Sequence, residues 1–347
     1  MTAGPHLLAV DLAATSRNWS LPSDARARLL AATPNGWAVR FVEAPTTSDG
    51  DGSAAPSADA LDAVREAEAY FGFGVSRALF VAAPRLRWAH SAAAGVAAAL
   101  FPEMLASDAI LTNSAGIHAQ PIAQHVVAGV ISILRSFDIA VDQQRAGVWD
   151  KRPFTGDGST VRELADCRAL IIGTGGLGTA IAGGLAHFGA RCVGVRRRPE
   201  LGAPPGIERV VGLEALQNEL PSADIVVLAT PATAETDRLL TRERLALLPR
   251  DAIVANVGRG SLLDENALAD ELTSGRLRGA VLDVFSSEPL ASDSRLWHLR
   301  QVLLTPHVSA VSPRRFWERQ LDLFVDNWTR YAAGLPLRNI VDKRAGY

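Results

Sequence analysis

The 347-residue chain holds only two cysteines, Cys167 and Cys192. Neither stands in a Cys-x-x-Cys or zinc-finger spacing, so neither a disulfide framework nor a metal site is expected. Both flank apolar, strand-like runs, which predicts buried small hydrophobes in a reducing, cytoplasmic setting. Strong net charge is also missing: 35 Lys and Arg against 37 Asp and Glu leave −2. That excludes the basic footprint of a nucleic-acid binder. No apolar run approaches the roughly 20 residues that a membrane helix needs. The N-terminal "MTAGPHLLAVDLAATSRNWS" has no basic segment followed by a long apolar one, so no signal peptide is expected. What is present is a hydrophobic content of 48%, enough for sizeable cores. At ~100–200 residues per domain, the length predicts two of them.

The pattern along the chain is α/β. "HLLAV" (6–10) and "WAVRFVE" (37–43) read as strands around a helix, "DARARLLAAT" (24–33), which Pro34 and Gly36 end. This βαβ order implies a parallel sheet. Residues 44–60, rich in Pro, Gly, Ser, Thr and Asp, read as a surface loop. A helix, "ALDAVREAEAYF", and two short strands, "ALFVAA" and "LRWAH", follow. In "PIAQHVVAGVISILRSF" (121–137), Ile122, Val126, Val130, Leu134 and Phe137 recur at helical spacing, and Pro121 suits the first turn. From residue 168 the alternation restarts with "RALIIG", "RCVGVR", "DIVVLAT", "AIVANV", "GAVLDVF" and "VLLTP", a second parallel sheet with helices on both faces. Residues 314–334 read as a C-terminal helix that packs back on the first domain.

After the first strand of that second sheet comes "GTGGLG", with Gly173, Gly175 and Gly178 in G-x-G-x-x-G spacing. The preceding strand and following helix make this a dinucleotide loop. Gly173 permits the tight turn, Gly175 lets backbone approach a pyrophosphate, and Gly178 allows close helix–strand packing. Gly176 and Leu177 complete the loop, and the helix N-terminus favours phosphate. One expected feature is absent. An acid about 20 residues on normally binds the adenosine ribose of NAD. Here "VGVRRRP" puts Arg196, Arg197 and Arg198 in its place. Guanidinium forks there suit a 2′-phosphate, which an acid would repel. NADP is therefore the expected cofactor, with NAD also possible.

Three further stretches put polar residues at or after apolar strands, where open α/β sheets bind ligands. They are "ANVGRGSLLDENAL" (255–268), "VLDVFSSEPL" (281–290) and "LLTPHVSA" (303–310), which offer Arg259, Asp283, Glu288 and His307. An Arg can clamp a substrate carboxylate bidentately. A His can protonate a carbonyl oxygen as hydride reaches its carbon. A Glu can hydrogen-bond the imidazole and favour its charged form. Asp264 is expected to cap the next helix.

With "LRWAHSAAAGV", "NSAGIHAQPIAQHVVAGVI", "GTGGLG", "TPATAET", "NVGRGSLLDENAL", "LDVFSSEPL" and "TPHVSA", the chain resembles the D-isomer-specific 2-hydroxyacid dehydrogenase family. The resemblance implies two doubly wound parallel-sheet domains. A Rossmann cofactor domain (113–308) is inserted in a flavodoxin-like substrate domain (1–112 plus 309–347). It implies Arg259, Glu288 and His307 as the catalytic trio. It further implies that Asp283 orients the nicotinamide, that Thr230, Pro231 and Val257 line the cofactor site, and that backbone near Ala94 and Gly95 holds the substrate carboxylate. Members are usually homodimers, joined through the region matching 113–150. Two departures stand out: the missing acid, and "AAAGVAA", which lacks the Asp often found just after its Gly.

The expected reaction is reduction of a small 2-oxo acid, glyoxylate- or hydroxypyruvate-like, to the D-2-hydroxy acid. Formate or phosphite oxidation would not need the Glu–His relay. A phosphoglycerate-type dehydrogenase and a catalytically weak NAD(H)-sensing scaffold are the alternatives. Trp297, in "RLWHL", is placed either in a core or at the active site.

Overall fold

The computed structural model describes residues 6–17, 19–45, 55–344 and 346. The part of the expected surface loop at 46–54 lies outside the described residues. Two compact units emerge, Met1–Ile117 with Ser312–Tyr347, and His118–Val311. The crossings fall a few residues beyond the expected cuts at 112 and 308.

The first unit is built on β1 (His6–Asp11), β2 (Trp37–Phe41), β3 (Ala69–Gly72), β4 (Trp88–Ser91) and β5 (Ile110–Asn113). All pair in parallel, in the order β2-β1-β3-β4-β5. This is the flavodoxin-like doubly wound order.

Two local expectations fail here. "AYFG" is not the end of a helix but the central strand β3; the helix before it covers only Ala58–Ala63. Tyr70 and Phe71 point to opposite faces and both are buried, each in its own core cluster. A surface helix buries one stripe, whereas a central parallel strand buries both faces. Conversely, "ALFVAA" is not a strand but lies in and just after the helix Arg77–Val81, capped by Ser76 Oγ accepting Leu79 N–H at 3.2 Å. Only Leu79 of that helix is fully buried, and Val81 is 62% exposed, the one-sided burial of a surface helix.

The helix Phe316–Ala332 covers one face of this sheet. Phe324 stacks on Phe71 with ring centroids 3.8 Å apart and on Trp88 at 5.3 Å. Removing one such buried ring costs about 3–5 kcal/mol. His90 sits beneath this stack, fully buried, with Nδ1 2.7 Å from Thr112 Oγ1 and Nε2 3.1 Å from Ser114 Oγ.

The second unit carries β6 (Arg168–Ile172), β7 (Arg191–Val195), β8 (Arg209–Val211), β9 (Ile225–Leu228), β10 (Ile253–Asn256), β11 (Gly279–Leu282) and β12 (Val302–Leu304). Their order is β12-β11-β10-β9-β6-β7-β8, all parallel. Counted from β6, this is the dinucleotide-binding order, extended by one strand. Chain order reverses at β6, between β7 and β9.

The helix Ala119–Leu134 packs on one face of this sheet and against the helix Gly176–His187. Val126, Val130 and Leu134 are buried as the spacing predicts, but Phe137 is not part of this stripe. The helix ends at Leu134, Ser136 turns left-handed (φ 55°), and Phe137, 51% exposed, begins a second helix, Phe137–Ala146. The break is fixed from far away in sequence: Arg278 Nη2 donates to Ser136 Oγ at 3.0 Å and to Asp138 Oδ1 at 3.0 Å. Cys167 and Cys192 are buried, and burial pushes each thiol up to about 11. No single helix among the described residues is long and apolar enough to cross a membrane.

Burial lowers the pKa of His90 from 6.5 to about 3. The unfolded chain therefore takes up a proton that the folded one refuses, as pH falls between these values. The stability tied to neutral His90 is present above pH 6.5 and lost toward pH 3. Urea melts of the wild type at pH 7 and pH 4 should differ more than those of His90→Gln, by a few kcal/mol; equal acid losses in both would refute the assignment.

Candidate functional site

The Gly-rich loop follows β6 at the switch point. Gly173 has φ 97°, and a Cβ there would lie 2.6 Å from Ala229 O. A Cβ on Gly178 would lie 1.8 Å from Gly173 O, so the helix can start this close to the strand only with glycine. A Cβ on Gly175 would meet nothing within 4 Å. The loop thus packs tightly at its two ends and stands open at its centre. The helix begins at Gly176, with no side chain capping its N-terminus. Its first amides are orphan donors facing an open surface, which suits a pyrophosphate. Thr174 Oγ1, buried without a partner, is a further unused polar atom in this loop. Leu177 is half-buried behind the loop. These residues fit a dinucleotide.

The strand-end arginines lie beside this loop. Arg196 is half-buried, its N–H bonded to Val211 O on β8 at 3.0 Å, while Arg197 and Arg198 are exposed. On the other side, Thr230 and Pro231 follow β9 and Val257 follows β10. The two loops pack together: a Cβ on Gly258 would be 2.7 Å from Thr230 O.

Arg259, Glu288 and His307 follow β10, β11 and β12, three neighbouring strands. His307 Nδ1 is 2.8 Å from Glu288 Oε2, and Glu288 Oε1 accepts Phe285 N–H at 2.9 Å. One carboxylate therefore orients the imidazole and is itself fixed by the chain. The side chain of His307 is half exposed, leaving Nε2 free to meet a ligand. Arg259 is exposed; its Nη1 reaches Gly258 O at 2.7 Å. A Cβ on the next residue, Gly260, would lie 1.8 Å from the Phe285 carbonyl carbon. Glycine at 260 is what lets the Arg259 loop press against the segment that carries Glu288.

Asp283 is buried at the end of β11 and works as an anchor. Oδ1 accepts Thr305 Oγ1–H at 2.6 Å and Val308 N–H at 2.9 Å, and Oδ2 accepts Ser309 N–H at 3.0 Å. A carboxylate offers about four acceptor positions, so roughly one remains for a ligand donor. Thr305 Oγ1 also lies 3.2 Å from His125 Nε2. The sequence did not single out Thr305 or His125. The signal was there: Thr305 stands two residues before His307, and His125 is a polar interruption in an apolar helical stripe. Asp264 caps the helix Glu265–Thr273, accepting Ala267 N–H at 2.9 Å. Trp297 is 51% exposed on a 3₁₀ turn, its Nε1–H bonded to Ala291 O at 2.9 Å.

In the first unit, Ala94 and Gly95 are exposed in the loop after β4. Asn113 Nδ2 donates to Ala94 O at 2.8 Å, and Ser91 Oγ accepts Ala93 N–H at 3.2 Å. The loop is held from both sides.

Residues 127–309 match the model of the D-isomer specific 2-hydroxyacid dehydrogenase family, NAD binding domain. D-3-phosphoglycerate dehydrogenase of Mycobacterium tuberculosis is 33% identical over 274 residues, covering 78% of this chain and 49% of that protein. The chain thus spans about half the length of these relatives. Glyoxylate/hydroxypyruvate reductase A of Salmonella heidelberg is 32% identical over 276 residues, 77% of this chain and 84% of that protein. A D-isomer specific 2-hydroxyacid dehydrogenase from Xanthobacter autotrophicus Py2, solved with NADPH and MES, superposes with a TM-score of 0.77 at 32% identity, over 99% of this chain and 100% of that one. The match over the whole Gly-rich sheet, and the two parallel sheets shared with that structure, make the chain a member of the D-isomer-specific 2-hydroxyacid dehydrogenase family.

Proposed function

We propose that the chain reduces a small 2-oxo acid, glyoxylate- or hydroxypyruvate-like, to its D-2-hydroxy acid, with NADPH as the preferred donor. The observation that carries this reading is the Glu288–His307 hydrogen bond of 2.8 Å at neighbouring strand ends. The dinucleotide, when bound, supplies the hydride. Everything else falls to side chains. His307, oriented through Nδ1 by Glu288, presents Nε2 to the carbonyl oxygen and delivers the proton. Arg259 clamps the substrate carboxylate with its planar fork. On the first unit, the amides of Ala94 and Gly95 are the proposed further partners of that carboxylate. Asp283 holds the His307 segment and keeps an acceptor for the carboxamide. The relative solved with NADPH and the arginine run after β7 support the cofactor preference.

The mycobacterial relatives favour a second reading, 3-phosphoglycerate oxidation. A panel of glyoxylate, hydroxypyruvate, pyruvate, phenylpyruvate and 3-phosphoglycerate separates the two, since the phosphorylated substrate alone should turn over under the second.

We also infer a homodimer. The helix Phe137–Ala146 buries none of its residues, exposes Phe137 and Val141, and is followed by Val148 and by Trp149, 90% exposed. Exposed apolar patches of this kind mark interaction surfaces. Light scattering should give twice the 36.8 kDa chain mass, and Trp149→Lys should shift it toward one; a wild-type monomer refutes the inference.

His307→Asn should lower turnover by about 10²–10⁴-fold with dinucleotide binding kept; retained turnover removes His307 from the mechanism. Replacing Arg196 and Arg197 with neutral residues should raise the KM for NADPH far more than that for NADH. Equal effects on both would leave the arginines as a solvated strand end.

A further inference from the structure

A carboxylate from another loop reaches the arginine run that follows β7. Arg197 Nη2 lies 3.1 Å from Glu235 Oε2. Glu235 belongs to the loop after β9, Arg197 to the loop after β7, and both strands flank β6. The pair therefore spans the mouth of the Gly-rich loop. Glu235 is not carried on a loose segment. Thr236 Oγ1 donates to Pro231 O at 2.8 Å and accepts Thr233 N–H at 2.8 Å, and Asp237 N–H bonds Thr233 O at 2.9 Å. The turn fixes where the carboxylate stands. The other two arginines pair with no carboxylate among the described residues; the Arg196 side chain makes a weak contact, Nη1 to Gly202 O at 3.5 Å.

We propose that Glu235 is a specificity-determining residue, supplying from the β9 loop the acid that the end of β7 lacks. This deepens, and rests on, the reading of the arginine run as a 2′-phosphate site. A carboxylate here accepts the ribose hydroxyls of NAD, as the usual acid would. Toward NADP it acts twice in the opposite sense. It occupies one of the forks that the 2′-phosphate needs, and its own charge repels that phosphate. Arg197 and Glu235 together make a subsite of paired charge, which admits both dinucleotides and restrains the preference for NADP.

Calorimetric titration of the apoprotein with NADP⁺ and with NAD⁺ tests this without turnover. Both groups are exposed, so Glu235→Gln should leave the fold intact. The substitution should tighten NADP⁺ by roughly three- to tenfold, the range expected of one screened charge contact, and weaken NAD⁺. The ratio of the two dissociation constants should shift toward NADP⁺ at least threefold. A smaller shift, or one toward NAD⁺, overturns the proposal and leaves the pair an ordinary surface ion pair. The wild-type titrations judge the underlying reading separately: tighter NAD⁺ than NADP⁺ refutes the NADP preference, while the shift in Glu235→Gln still decides the role of Glu235. A wild type that binds neither dinucleotide removes both.

Discussion

One buried carboxylate organises the candidate-site end of the second sheet. Asp283 sits where β11 stops, and its two oxygens collect a hydroxyl and two successive amides from the segment after β12. Its own carbonyl takes the His307 N–H at 2.9 Å. Three consecutive residues, 307 to 309, are therefore tied to one aspartate. Charge-assisted bonds of this kind are about twice as strong as neutral ones, and they run here through a protein interior that screens them little. Without that anchor the end of the edge strand β12 would have no fixed course, and the imidazole would have no fixed place opposite Glu288.

The second requirement is steric. The Arg259 loop and the Glu288 segment meet where Gly260 faces the Phe285 carbonyl, and the Gly-rich loop meets its own strand where Gly178 faces Gly173. At both places a methyl group would separate backbones that must touch. Glycine thus sets the spacing between functional groups that come from different strands.

Much of this could be read from the residues alone. The Gly-rich loop and the Arg–Glu–His trio were legible because each lies in a short run directly after a strongly apolar strand. The parallel order followed from the alternation of strand and helix. What escaped was set by contacts remote in sequence. β3 reads as a helix end until β1 and β4 pair along its edges and two separate core clusters bury its faces. The edge strand β8, "RVV", is too short and too exposed to announce itself. The helix break at Ser136 is held by Arg278, far away in sequence. Glu235 in "TPATAET" is an ordinary exposed glutamate until the sheet order sets it beside Arg197. At the end of β7, where "VGVRRRP" carries no acid, the nearby carboxylate comes from another loop.

His307 itself adopts φ 53°, a left-handed backbone that a residue with a side chain rarely takes, at a cost of about 1–3 kcal/mol. The surrounding bonds over-determine that conformation in the resting protein. The reorganisation that a flexible histidine would need during each reaction cycle is thus completed once, when the chain folds. In the proposed reaction His307 thus meets the substrate already aimed, and the barrier carries no contribution from ordering it.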